Sequence, residues 1–434
     1  SATMYDNDFA RNWFKVDKID NKKVYGHGNG INNIIAAANA GEATASAILN
    51  GTNAEAVEIK LKNNNRAYTS EGTDLKLQYT TENQSLTIGY RDTEDSEDRF
   101  QVYAYADWLN GQLGAMTVGS DPGYSSNNRV TKAQATAFYI NEEINFGALT
   151  VNLGYRSEDW EISQDRYVDA ARSAIATDKG YPKQLSDSDN SLMGFGATYE
   201  VNDTTQLFFG FHEGFTPTGG GADPEQADNL EMGVRYSDDN SYFEAVYFDT
   251  DYQNMFGECT ASGGATGSCE IGDSFNAGEA SISGFELVAQ TEMASDSGTK
   301  YPLSMVYTST DASFDNTFDS DFWGSVTSGM DIPDLPDSQL ALQAGFETQS
   351  GLRGSATYYA YGSTCSVASC AAGTSIDSYN VIDASLTKMF NDQLDVYMVV
   401  ENITDETDVV ARAPKNGARA QKPRSFTVGV RYRL

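Results

Sequence analysis

Apolar and polar residues alternate along this chain in segments of about ten residues, the length a tilted strand needs to cross a bilayer, and helical periodicity is hard to find. From Thr73 to Tyr90 the text reads TDLKLQYTTENQSLTIGY. Leu75, Leu77 and Tyr79 share one face, Glu82 and Asn83 make a tight turn, and Leu86, Ile88 and Tyr90 resume the face on the way back, which predicts a hairpin. The same form recurs in ATAFYINEEINFGALTVNLGY, SLMGFGATYEVNDTTQLFFGF and NLEMGVRYSDDNSYFEAVYFD. It returns after residue 280 in SGFELVAQTEMASDSGTKYPLSMVY, LALQAGFETQSGLRGSATYYAY and VIDASLTKMFNDQLDVYMVVEN.

Long connections rich in Gly, Ser, Asn and Asp separate these hairpins: Asn21 to Asn65, Thr93 to Asn128, Ser157 to Asn190, Glu213 to Gln226, Gln253 to Gly278, Asp311 to Asp337, Gly362 to Ser378 and Ile403 to Lys422. Short turns and long loops therefore take turns, as in an outer-membrane barrel with tight turns on one side of the bilayer and long loops on the other. A sandwich has no reason to sort its loops this way. From the strand near Tyr5 to Trp13 through the last at Ser425 to Leu434, the pattern predicts about 16 strands, an even number as bacterial barrels require. The predicted fold is all-β, a transmembrane antiparallel up-and-down β-barrel.

Composition narrows the function. Lys+Arg 29 against Asp+Glu 62 leaves a formal charge of −33 over 434 residues, and the sequence pI is about 4.2. Such a chain lacks the basic face that nucleic acid demands and the polybasic stretch of a lipid anchor. A mean hydropathy of −0.46 with no apolar run near 20 residues excludes a helical membrane protein but not a barrel, in which only every second strand residue faces lipid. The 25 Tyr and 21 Phe favour the barrel. SATMYDNDFARNW lacks a basic start and an apolar core, so no signal peptide is visible and the N-terminus reads as processed or truncated.

The four cysteines fall in two close pairs within long loops, Cys259 with Cys269 and Cys365 with Cys370. Two loop disulfides in an oxidising compartment are the favoured reading; zinc is the alternative, against which stand the spacing and the lack of a nearby His. Acidic runs such as RDTEDSEDR and SFDNTFDSDFW read as solvated surface rather than a dedicated calcium or lipopolysaccharide site.

The ending PRSFTVGVRYRL, at Pro423 to Leu434, preceded by ENITDE at Glu401 to Glu406, resembles the last two strands of TonB-dependent outer-membrane transporters. YDNDFARNWFK at Tyr5 to Lys15, FHEGFTPTGGGADPEQADNLEMGVRY at Phe211 to Tyr236 and IGDSFNAGEASISGFEL at Ile271 to Leu287 are similar to the ferric citrate and ferric siderophore branch of that family. The resemblance spans nearly the whole chain. It implies import of a ferric chelate across the outer membrane of a Gram-negative bacterium, powered by the TonB complex, with the barrel seated among lipid and lipopolysaccharide. It implies no covalent chemistry and no resident cofactor, since the metal arrives within the chelate. The family builds a 22-stranded barrel with a plugged lumen. About 16 strands therefore make residues 1–434 a partial barrel domain, with the plug and first strands missing from this chain. Leu434 departs from the aromatic residue with which the family usually ends. A passive porin and a secreted β-rich glycan-binding protein are the rival readings.

Catalysis finds no support. His27 and His212 are the two histidines, and neither stands in a nucleophile-elbow context. GHGNG at Gly26 to Gly30 and TGGGA at Thr218 to Ala222 lack the lysine and following helix of a phosphate loop. Binding is the better question, and it turns on where positive charge lies in a negative protein. Arginine matches carboxylates through its bidentate fork. The substrate-binding candidates are Arg99 and Arg129, flanking the long loop after the first hairpin, with Tyr103, Trp108 and Tyr124 between them. By resemblance, Arg129 in NNRV stands where ferric citrate receptors carry an arginine. The alternative for Arg129 is an ion pair with nearby acidic residues.

Overall fold

A computed structural model describes residues 1–20, 31–122, 127–218, 223–258, 274–276, 278–320, 324–412 and 417–433. Its main sheet has 18 strands, of which two are two-residue ribbons, Gln112–Leu113 and Thr117–Val118, folded back on a longer strand. The others follow chain order: β1 (Ala2–Asp20), β2 (Val57–Thr80), β3 (Gln84–Leu109), β4 (Asn128–Asn145), β5 (Leu149–Arg166), β6 (Lys183–Asn202), β7 (Thr205–Thr216) and β8 (Glu225–Ser237). After these come β9 (Ser241–Gln253), β10 (Ala280–Ala294), β11 (Lys300–Phe314), β12 (Ser338–Glu347), β13 (Leu352–Tyr361), β14 (Tyr379–Met389), β15 (Leu394–Glu401) and β16 (Ser425–Tyr432). Each is antiparallel to the one before it, so the sheet is a single up-and-down meander of 16 long strands. Among the described residues β1 and β16 are paired on one edge only.

One face of the sheet is apolar across every strand. On β16, Phe426, Val428, Val430 and Tyr432 alternate with polar residues and are 67%, 71%, 68% and 60% exposed. Register carries the face sideways: Val428 lies opposite Met398, and Met398 opposite Leu386. Far from this edge, Leu77 faces Ile88, and Ile88 faces Ile140. A soluble protein would bury such a surface; here it forms a band near the short-turn end, as on a lipid-facing barrel wall. Close strand packing marks the opposite face. A Cβ on Gly89 would collide with the ring of Tyr139 lying across it, so glycine there lets the tyrosine fold flat onto the neighbouring strand.

Two features depart from the sequence reading. First, the strands beyond the band are longer than expected: β2 begins at Val57, β3 runs to Leu109 and β5 to Arg166, inside stretches read as loops. There the apolar face gives way to Asp92, Glu94, Asp159 and Asp189, which share its parity, so RDTEDSEDR is strand rather than loop. Second, helices are present. α1 (Ile31–Asn39) and α2 (Ala43–Leu49) lie within the predicted loop Asn21 to Asn65. They close a small core in which Ile34 and Ile48 meet Ile19, Val57 and Ile59, with Trp108 packed against it. The indole Nε1 of Trp108 donates to the Ile48 carbonyl at 2.9 Å.

Cys365 and Cys370 form a disulfide with Cα atoms 5.3 Å apart, within the long connection before β14. The other predicted pair, Cys259 with Cys269, lies outside the described residues, as do His27, GHGNG and Leu434.

Candidate functional site

The polar face of β1 to β5 is organised by register. Arg11 lies opposite Arg66, Arg66 opposite Arg99, Arg99 opposite Arg129, and Arg129 opposite Arg166. Residues directly opposite in an antiparallel ladder project to the same side with Cβ atoms about 5 Å apart. Five arginines thus form one row across five strands. It stands well over ten residues from Tyr79 at the foot of β2, above the stretch that a bilayer covers.

Like charges in register repel, so the row needs compensation. Glu97 supplies part of it, reaching Arg66 at 2.8 Å and Arg129 at 3.5 Å. Neutral groups join it. Arg66 donates through Nε to Asn64 Oδ1 at 3.0 Å, and Arg166 through Nε to Gln164 Oε1 at 2.8 Å. Tyrosine rings lie under Arg11 and Arg166, Tyr68 at 5.4 Å and Tyr181 at 5.0 Å from the guanidinium carbons, a cation–π arrangement. Glu97 thus pairs with two of the five guanidinium groups. Arg99 and Arg166 are buried and supply field, while Arg11 is exposed and Arg66 and Arg129 are part-exposed and can touch a ligand.

A second positive layer lies above the row. Lys60 and Lys62 each approach Asp17 at 3.8 Å, and Lys60 Nζ is 3.4 Å from the centre of the Tyr103 ring. Asn127 donates to the Tyr103 hydroxyl at 3.1 Å, and burial raises the phenol's pKa, keeping it a donor. Burial is also the largest influence on Lys62, pulling its pKa below the ordinary 10.5 against the opposing attraction of Asp17; Lys60 is lowered in the same way. The sign follows directly. An anion gains from protonated Lys62, so affinity is full below the lowered pKa and declines as pH rises through it. Titrating anion binding upward from neutral pH should show this decline before the ordinary lysine value is reached, and Lys62→Arg should flatten it.

Of the residues singled out in the sequence, Arg99, Arg129 and Tyr103 come together on this face. Trp108 turns away to the helical core. Tyr124 lies outside the described residues. Arg11, Arg66 and Arg166 were missed, although two tight turns give the clue. Counted from the turn, Arg66 is 14 residues before Thr80 and Arg99 14 after Ser85, while Arg129 is 16 before Asn145 and Arg166 16 after Thr150. His212 is an exposed strand residue whose carbonyl accepts from Asn229 at 3.2 Å.

The family described as TonB dependent receptor-like, beta-barrel matches residues 2–403. No curated protein matches the chain. Among solved structures, the ferric citrate transporter FecA in its unliganded form is similar with a TM-score of 0.64 and 16% identity, over 86% of this chain and 55% of that one. The siderophore receptor PiuA from Acinetobacter baumannii is similar at 0.66 and 14%, over 87% of this chain and 61% of that one. The pyoverdine receptor FpvA from Pseudomonas aeruginosa PAO1, bound to pyoverdine, is similar at 0.62 and 15%, over 87% and 54%. At these identities the likeness carries the fold. The chain spans little more than half the length of these structures.

Proposed function

We propose, from the premise that this chain belongs to the TonB dependent receptor-like β-barrel family, that it forms barrel wall of an outer-membrane transporter that imports an anionic ferric chelate. Ferric citrate and carboxylate-bearing siderophores are the substrate class that fits best. The single observation that carries this reading is the arginine row, because it concentrates cations on the polar face of a protein whose net charge is −33. Guanidinium groups at strand spacing can each engage a different carboxylate of one chelate. The TonB complex would supply the energy, and residues 1–434 would be part of a larger barrel whose lumen holds a plug. The apolar band would face lipid and the acidic strand extensions above it the lipopolysaccharide layer.

Iron uptake in cells that express the full-length protein tests the reading. Uptake from ferric citrate should stop when the proton gradient is collapsed. Uptake that continues at the same rate without the gradient would mark a passive porin instead.

A further inference from the structure

Below the arginine row the same face carries a trough that the row does not explain. Its floor is β4, where Ala133, Ala135 and Ala137 point inward in succession. Its walls are taller. Arg91, Thr93 and Asp95 stand on β3 directly opposite those alanines, and Glu158, Trp160 and Ile162 on β5 do the same from the other side. Pro217, just past β7, also lines the cavity, which measures about 250 Å³.

Trp160 is the telling residue. It is only 4% exposed, it lines the cavity, and its indole N–H has no hydrogen-bond acceptor among the described residues. A buried donor without a partner is costly, and native structures rarely keep one without a reason. Two guanidinium groups line the same cavity. Arg91 donates to the Tyr5 hydroxyl at 3.4 Å, with the charges of Asp74 and Glu158 close enough to act on it, and Arg156 donates to Glu158 at 2.7 Å. Trp160 is six residues below Arg166 on the same strand, about 20 Å at strand rise.

We propose that this trough is a second, lower subsite that receives a carboxylate or carbonyl oxygen of the chelate after it leaves the arginine row. The Trp160 N–H and the Arg91 guanidinium donate to that oxygen, and the alanine floor gives the ligand room to move along β4. This inference rests on the anionic-chelate reading, and its test separates the two.

Ferric citrate is the probe, and the full-length protein is assayed both for equilibrium binding and for iron uptake in energised cells. Trp160→Phe keeps the ring and removes the donor; Ala135→Leu fills the trough. Each is expected to leave binding within twofold of wild type and to lower uptake at least fivefold. Uptake within twofold of wild type in both variants would overturn the lower subsite and leave the arginine row standing. If Ala135→Leu fails to reach the membrane, Trp160→Phe decides alone. Wild-type protein that binds no ferric citrate would sink the chelate reading and the subsite together, before any trough variant is made.

Discussion

Leu342→Arg is expected to destabilise the folded protein in lipid by about 2–4 kcal/mol, the cost of placing a guanidinium near the bilayer midplane on a barrel's outer face. Leu342 is 40% exposed, midway along β12, with Met305 and Tyr358 opposite it on the neighbouring strands. The next residue, Gln343, points to the polar face and donates to Thr357 Oγ1 at 3.2 Å. Gln343→Arg should therefore fall within about 0.5 kcal/mol of wild type, as surface substitutions do. Denaturant titration of the protein refolded into lipid vesicles would measure both. Equal costs for the two substitutions would mean that the apolar band does not face lipid.

A second large effect belongs to the arginine row. Charge-assisted hydrogen bonds contribute about 1.5–3 kcal/mol each. Replacing both Arg66 and Arg129 by glutamine should then weaken an anionic chelate by roughly two to four orders of magnitude. Glu97 gives the sign check. It competes with any ligand for the same two guanidinium groups, at 2.8 Å and 3.5 Å. Glu97→Gln should therefore tighten binding, opposite in direction to the arginine variants. Calorimetry on the three proteins would read this; a Glu97→Gln protein that binds more weakly would mean that the row serves structure alone.

How far the sequence reveals this architecture depends on the height along the barrel. Where lipid sets one face, as from Leu75 to Tyr79, alternation is forced and the strands are plain in the text. Beyond the lipid both faces meet polar surroundings. Glu94 and Asp98 then alternate with Asp95 and Glu97, and no periodicity survives to distinguish strand from loop. The helices escape for another reason. α1 and α2 have 9 and 7 residues, two turns or so each, too short for a 3.6-residue period to establish itself; only the alanine-rich text IIAAA and ATASAIL hints at them.

The arginine row is half legible for a similar reason. Arg99 and Arg129 stood out as isolated cations near a long loop. The alignment of Arg11 with Arg66 and of Arg99 with Arg129 depends on pairing between strands whose connecting loops are long, where no turn fixes register. The Trp160 trough depends on three strands at once, since neither an alanine triplet nor a lone tryptophan means anything until β3, β4 and β5 are side by side.

The most direct test of the central claim is the affinity of the full-length protein for two ferric chelates, the anionic ferric citrate and a neutral ferric trihydroxamate, each measured at low and high salt. Part-exposed guanidinium groups attract anions through a field that salt screens within about 10 Å at 0.1 M. Ferric citrate should bind the more tightly, and its affinity should fall with added salt while that of the neutral chelate does not. Equal affinities without salt dependence would contradict the account.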